Sequence, residues 1–222
     1  MNMIFSWSSG KDSAMALYDC LSHSHFQVKT LWTTVNETNR SIPFHGVDTA
    51  LLQKQADAIG IPLTITNLPD NCTNKQYEKL VRKQYKSFRK EGLEGVAFAD
   101  LYLEDIRHYR NSLLQDYQLK AIYPIWKQST LHTAKRFLAH GFKAIITTVD
   151  ETNLQSDWVG EPFDETFLKA LPEHVDPCGE NGEFHTFVYD GPIFSKAVSF
   201  DIQEIRKKGS FHTARLTTES KR

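Results

Sequence analysis

Only three cysteines, Cys20, Cys72 and Cys178, occur in 222 residues, widely scattered and odd in number. That argues against a disulfide framework and leads us to expect a reducing, cytoplasmic setting. Long apolar runs are missing as well. No stretch approaches the roughly 20 residues of a membrane span, so no membrane partner is expected. The first apolar run is short and leads straight into a polar loop, unlike a secretory leader. Neither sign of charge dominates, with 26 Lys and Arg against 27 Asp and Glu. Such a balance speaks against wholesale coating of nucleic acid, although a local patch remains open. Repeats and low-complexity linkers are absent too. What remains is an ordinary globular composition, 40% hydrophobic and 24% charged, long enough for one large domain or two small ones.

The apolar pattern alternates between two periods. "MIFSW" reads as a short buried strand, and Ala14, Leu17, Tyr18 and Leu21 follow at helical spacing with Asp12 or Ser13 as the expected N-cap. "QVKTLWTTV" is a second strand, rich in β-branched and aromatic residues. A helix through Val47, Leu51, Ala58 and Ile59 ends at Gly60, and "PLTITNL" is a third strand. Tyr77, Leu80, Val81, Tyr85 and Phe88 mark the next helix, "EGVAFAD" a fourth strand, and Ile106, Tyr109, Leu113 and Tyr117 another helix. Strands alternating with helices predict an α/β doubly wound parallel sheet. Beyond about residue 118 the rhythm loosens. A helix from Ser129 to His140 precedes the strand "KAIITTVD". A turn-rich acidic stretch from Asp150 to Asp176 follows, and strands joined by "KKGS" close the chain. We therefore expect a nucleotide-type domain over residues 1–118 and a smaller mixed α/β domain over 119–222.

Between the first strand and first helix lies "SSGKDS". Ligands of doubly wound sheets sit beyond the carboxyl ends of the strands, so this loop is where a phosphate is expected. Small residues let backbone N–H groups approach the oxygens, and the helix N-terminus adds partial positive charge. Ser8, Ser9 and Ser13 contribute hydroxyls and Lys11 a full charge. Asp12 would be repelled by phosphate unless it holds a Mg²⁺ or caps the helix. The bland reading is a small-residue turn before a capped helix.

"SSGKDS" resembles S-G-G-x-D-S, the loop of the ATP pyrophosphatases, with Ser9 in place of a Gly. Farther on, "DPCGENGEFHTFVYDGP" (Asp176 to Pro192) resembles the C-terminal signature of the diphthine–ammonia ligase family. "FADLYLEDIRHYR", "YPIWKQS", "GFKAIITTVD" and "DWVGEPFD" agree with that family in order along nearly the whole chain. The opening is most similar to its short bacterial members. The resemblance implies a HUP-like, adenine nucleotide alpha hydrolase-like fold and an ATP-dependent ligase. ATP adenylates a carboxylate, pyrophosphate leaves, and ammonia displaces AMP to give an amide. Diphthine on elongation factor 2 is the family's acceptor; here the acceptor is left open as a carboxylate on a protein or small molecule. Two departures bear on it: Glu161 follows Trp158, Val159 and Gly160 where W-L-G-R is common, and Phe98, Ala99, Asp100 replace F-G-D.

The expected nucleotide set is Ser6, Ser8, Ser9, Gly10, Lys11, Asp12, Ser13, Thr33, Thr34, Val35, His45 and Asp100, with Asp12 and Asp100 as Mg²⁺ ligands. Trp158, Gly160, Glu180, Asn181, Gly182, Glu183 and His185 are the expected acceptor set. Lys11, Asp12, Glu183 and His185 are the candidates for catalysis, Glu183 or His185 as general base towards ammonium. Plainer readings stand beside these. Asp100 could cap the next helix, Thr33 to Val35 could be a simple strand end, and the glycine-flanked turn could be structural. Cys178 is expected to be structural, and His174, Cys178 and His185 lack the paired spacing of a zinc site. The helix from Thr73 to Glu91 carries seven Lys or Arg, expected to form a solvated face, with RNA or an acidic protein as the weaker alternative. A tRNA-modifying enzyme and a non-catalytic ATP or AMP sensor are the rival functions, and a homodimer is left open.

Overall fold

The computed structural model describes residues 1–42 and 46–218. The first half runs β1 (Asn2–Ser6), α1 (Lys11–Ser22), β2 (Gln27–Asn36), α2 (Thr49–Ile59), β3 (Leu63–Leu68), α3 (Asn74–Lys90), β4 (Gly95–Ala97), α4 (Glu104–Leu114) and β5 (Lys120–Ile122). Its five strands are all parallel in the order β3-β2-β1-β4-β5. Strand order therefore reverses between β1 and β4, where a doubly wound sheet opens a crevice at the carboxyl ends of its strands. Alternation along β1 supplies both faces. Met3 and Phe5 enter one apolar cluster and Ile4 another, and all three are fully buried. Val81, Tyr85 and Phe88 of α3 pack with Ile4 and Trp32 in that second cluster.

Helix ends follow local chemistry. Asp48 accepts from Leu51 N at the start of α2, and Gly60 ends that helix at φ 80°. Thr73 and Gln76 form a reciprocal capping box on α3. The cap of α1 differs from expectation. Gly10, not Asp12 or Ser13, occupies that position, and no side chain caps it. Both expected caps lie inside the first turn and face the crevice instead.

The second half contains α5 (Thr130–Ala139), β6 (Lys143–Asp150), α6 (Glu165–Ala170), β7 (Phe184–Asp190), β8 (Asp201–Lys208) and β9 (Phe211–Thr217). Its four strands form a separate antiparallel sheet, β7-β6-β9-β8. The apolar clusters do not respect the change of sheet. Met3, Phe5 and Trp7 belong to one continuous core with Phe137, Phe163, Phe184 and Phe187. Arg136 of α5 also pairs with Asp19 of α1 at 2.7 Å. Two short elements had no strong sequence signal: β5, three residues beyond position 118, and α6, six residues inside the acidic stretch. No helix among the described residues is long and apolar enough to cross a membrane.

Candidate active site

A cavity of ≈ 300 Å³ lies at the reversal of strand order, and both sequence signatures reach it. Ser6, Ser8, Gly10, Lys11, Asp12 and Ser13 come from the end of β1 and the start of α1. Ala99, Asp100, Leu103, Ile106 and Arg110 come from the end of β4 and from α4, and Cys178, Gly179, Glu180, Gly182, Phe184, His185 and Thr186 from the second half.

The loop after β1 is braced from behind. Ser9 adopts φ 70°, the left-handed region a glycine enters without penalty. The Ser9 carbonyl accepts from Val188 N (3.0 Å) and from Gln55 Nε2 (3.3 Å). Its hydroxyl is buried without a hydrogen bond among the described residues. Gln55, fully buried on α2, also accepts from Trp7 Nε1 (2.9 Å) and donates to the Val188 carbonyl (2.6 Å). In front, Ser13 Oγ lies 2.7 Å from Ser8 Oγ and accepts from Ser8 N at 3.2 Å.

Lys11 is 3% exposed, and its ammonium donates to Asp12 Oδ2 (2.9 Å) and to the Cys178 carbonyl. It stands 5.0 Å from the centroid of the Phe184 ring. Burial pulls the Lys11 pKa down, but Asp12 above all, with Cys178 and Glu180, pulls it up by more, so it stays charged. Burial pushes the Cys178 thiol well up, assisted by Asp12, so no thiolate forms here.

The second signature folds back on itself. Gly179 has φ 68°, and a Cβ there would meet the Phe184 carbonyl oxygen at 2.6 Å, so the turn requires glycine. Glu183 Oε1 accepts from Asp176 N (3.1 Å) and Asn181 Nδ2 (2.9 Å), and its Oε2 from Asn181 N (3.0 Å). Its carboxylate is thus enclosed in the turn, while Glu180 and His185 face the cavity. Glu180 is held by Leu101 N at 3.3 Å, and burial with the nearby Asp12 raises its pKa to about 8. Burial, with a smaller push from Lys11, lowers His185 to about 4, so its imidazole is neutral at pH 7.

Asp100 does not cap a helix. Its carboxylate meets Arg110 at 2.7 Å (Nε) and 3.1 Å (Nη2), and the α4 N-cap is Leu103. Arg110 itself stacks 4.6 Å from the Phe98 ring centroid. Sequence reading missed Arg110, Gln55 and Thr186. Arg110 becomes visible only once α4 turns it back onto Asp100, and Gln55 and Thr186 (whose Oγ1 accepts from Lys11 N at 3.1 Å) only once distant segments meet.

Other expected residues lie elsewhere. Thr33, Thr34 and Val35 pair with Ile65, Thr66 and Asn67 on β3 and do not line this cavity. Trp158 packs edge-on against Phe167 at 5.1 Å, and Gly160 N donates to the Ile146 carbonyl at 2.8 Å. His45 lies outside the described residues. Among the described residues no group of three or more His, Cys, Asp or Glu could hold a metal ion unaided. Asp12 nevertheless offers Oδ1, buried on the cavity side chain without a hydrogen bond. One carboxylate suits Mg²⁺ when substrate phosphates complete the shell.

A doubly wound sheet with a small-residue loop after its first strand, and a cavity at the strand-order reversal, is the build of an α/β phosphate-loop protein. The diphthamide synthase N-terminal domain model matches residues 1–121 and the diphthamide synthase C-terminal domain model residues 129–220. The chain belongs to the diphthamide synthase family. Two mammalian proteins named diphthine–ammonia ligase resemble it along most of their length. That of Bos taurus is 25% identical over 221 residues, covering 89% of this chain and 82% of the relative. That of Rattus norvegicus is 26% identical over 222 residues with the same coverage. A solved chain described as a predicted subunit of tRNA methyltransferase from Methanocaldococcus jannaschii aligns with 86% of this chain and 100% of its own. The TM-score is 0.42 and the identity 15%.

Proposed function

We propose that the protein is an ATP-dependent ligase that converts a carboxylate to an amide with ammonia through an acyl-adenylate, releasing pyrophosphate and AMP. The observation that carries this reading is the meeting of both signatures around one cavity, in a chain whose curated relatives are named diphthine–ammonia ligases. The phosphates of ATP would lie over the start of α1, with Lys11 and the loop's backbone donors offsetting charge that builds at the α-phosphorus. Mg²⁺, held by Asp12 and the phosphates, would supply further charge neutralisation. Asp100, tied to Arg110, would orient that arginine towards the same phosphates.

The acceptor carboxylate attacks the α-phosphorus, and pyrophosphate departs. Ammonia then attacks the acyl carbon, AMP leaves, and one proton must be taken up nearby. Glu180 and His185 line the cavity and would be the groups to take it, His185 as its neutral imidazole and Glu180 in its ionised form. Glu183, enclosed in its turn, would instead position them. Phe184, which lines the cavity, would help keep water from the adenylate.

The test is AMP and pyrophosphate formation with ATP, Mg²⁺ and ammonium against a panel of carboxylates that includes diphthine-bearing elongation factor 2, each with and without RNA. Carboxylate- and ammonium-dependent turnover supports the ligase, whereas RNA-dependent turnover without a carboxylate would replace it. Lys11→Ala and Asp12→Ala should each weaken nucleotide affinity or turnover on the order of a hundredfold. Unchanged ATP binding and pyrophosphate release in both variants would remove the phosphate-loop assignment.

A further inference from the structure

A second cavity, ≈ 750 Å³, lies between the β2–α2 connection and the β8–β9 hairpin and shares no lining residue with the first. We propose that it anchors a small organic anion with an apolar body.

Strand periodicity builds its cationic wall. Side chains two apart share a face, so Arg206 and Lys208 project together from β8, opposite Thr213 and Phe211 of β9. Arg215 lies two residues beyond Thr213 on that same face, and all five line the cavity. The alternate position, Lys207, points the other way and is tied to Glu151 at 2.6 Å. The hairpin therefore sorts its bases: Lys207 lies on the outer face, and Arg206, Lys208 and Arg215 face the cavity. Glu204 pairs with Arg206 (2.6 Å) and Arg215 (3.6 Å) but does not line the cavity, and Lys208 makes no ion pair among the described residues.

The opposite wall comes from Asn36, Asn39, Ser41, Ile42, Gly46 and Asp48. Asp48 is the one carboxylate there, and its Oδ1 is engaged as the α2 cap by Leu51 N at 2.8 Å. Against Asp48 and the neighbouring Glu204, the three cations keep a net positive charge, with Lys208 unpaired among the described residues, and this favours an anion. Phe211 and Ile42 offer apolar surface to its carbon skeleton, while Asn39 and Ser41 add polar contacts. The cavity lies beyond the carboxyl end of β2, away from the strand-order reversal between β1 and β4.

Citrate and inorganic phosphate are the probes, followed through the guanidinium N–H resonances of Arg206 and Arg215 by NMR, with glycerol as the uncharged control. Saturable shifts with citrate are expected, fading as salt rises and weakened about tenfold or more by Arg206→Ala combined with Lys208→Ala. Lys83→Ala on α3 should leave them unchanged. Saturation with phosphate but not citrate would assign a phosphate-bearing ligand to the same site. Shifts that fail to saturate with either anion, or that survive the double substitution, would overturn the proposal. The Arg206 side chain is 65% exposed and Lys208 is exposed as well, so the double variant should fold normally.

Discussion

Single residues carry both the strain and the charge of the phosphate-loop cavity. Ser9 holds a left-handed backbone and a buried, unpaired hydroxyl at once. Glycine there should relieve both, at a smaller cost in unfolded-state entropy. We predict that Ser9→Gly stabilises the protein by about 1 kcal/mol, raising the melting temperature by roughly 2–4 °C. An unchanged or lower melting temperature would show that the conformation is not strained. Glu180 and His185 shape the pH dependence from opposite sides. Glu180 rises from 4.5 to about 8 on folding, so across that window the unfolded chain releases a proton the folded chain retains. Raising the pH through this window therefore drains stability, and Glu180→Gln should gain on the parent protein steadily from pH 5 to about 8 in chemical denaturation. His185 falls from 6.5 to about 4, so the unfolded chain binds a proton the folded one refuses. Lowering the pH through that window costs stability, and His185→Gln should flatten this acid limb.

At the scale of elements, the turn from Asp176 to Glu183 acts as a unit. Three donors converge on the Glu183 carboxylate, and the turn they close presents the Cys178 carbonyl to Lys11 and Glu180 to the cavity. Glu183→Ala leaves those donors unpaired and should cost about 3 kcal/mol; Glu183→Gln, keeping one acceptor, should cost about 1 kcal/mol. ATP affinity should fall in the same order. A positioning role is thereby separated from a general base, whose loss would lower turnover and leave ATP affinity intact. Calorimetric titration of ATP on the folded variants decides between them. The elements themselves were legible wherever one period of burial ran unbroken. β6 appears at the residues its apolar run marks, and α3 buries Val81, Tyr85 and Phe88. β5 and α6 were not legible, because three and six residues are too few to display a period. The site was half legible. Both signatures stand out as local strings, but Glu180 and Glu183 differ only in which way the turn directs them, and that depends on Gly179 and Phe184 meeting in space.

For the whole molecule, the decisive contacts are those that bind the halves together behind the loop. Lys11 N donates to Thr186 Oγ1 across 175 residues of sequence. Val188 N donates to the Ser9 carbonyl, and Gln55 joins Trp7, Ser9 and Val188 from a fully buried position. With one apolar cluster running through both sheets, the halves should melt together in a single transition. Gln55→Leu retains the volume but strands the Trp7 indole N–H and takes a donor from the Val188 and Ser9 carbonyls, the latter keeping its bond from Val188 N. Each unmade bond to a buried group costs about 1–3 kcal/mol, so a loss of roughly 3 kcal/mol or more is expected. Because Gln55 touches the loop only from behind, the same substitution should also loosen the phosphate site. ATP affinity should drop together with stability, with no change at any residue lining the cavity. Scanning calorimetry with and without ATP measures both effects on one sample. Two resolved transitions in the parent protein would show that the halves fold independently. An unaltered ATP-induced rise in melting temperature in Gln55→Leu would show that the loop keeps its shape without this brace.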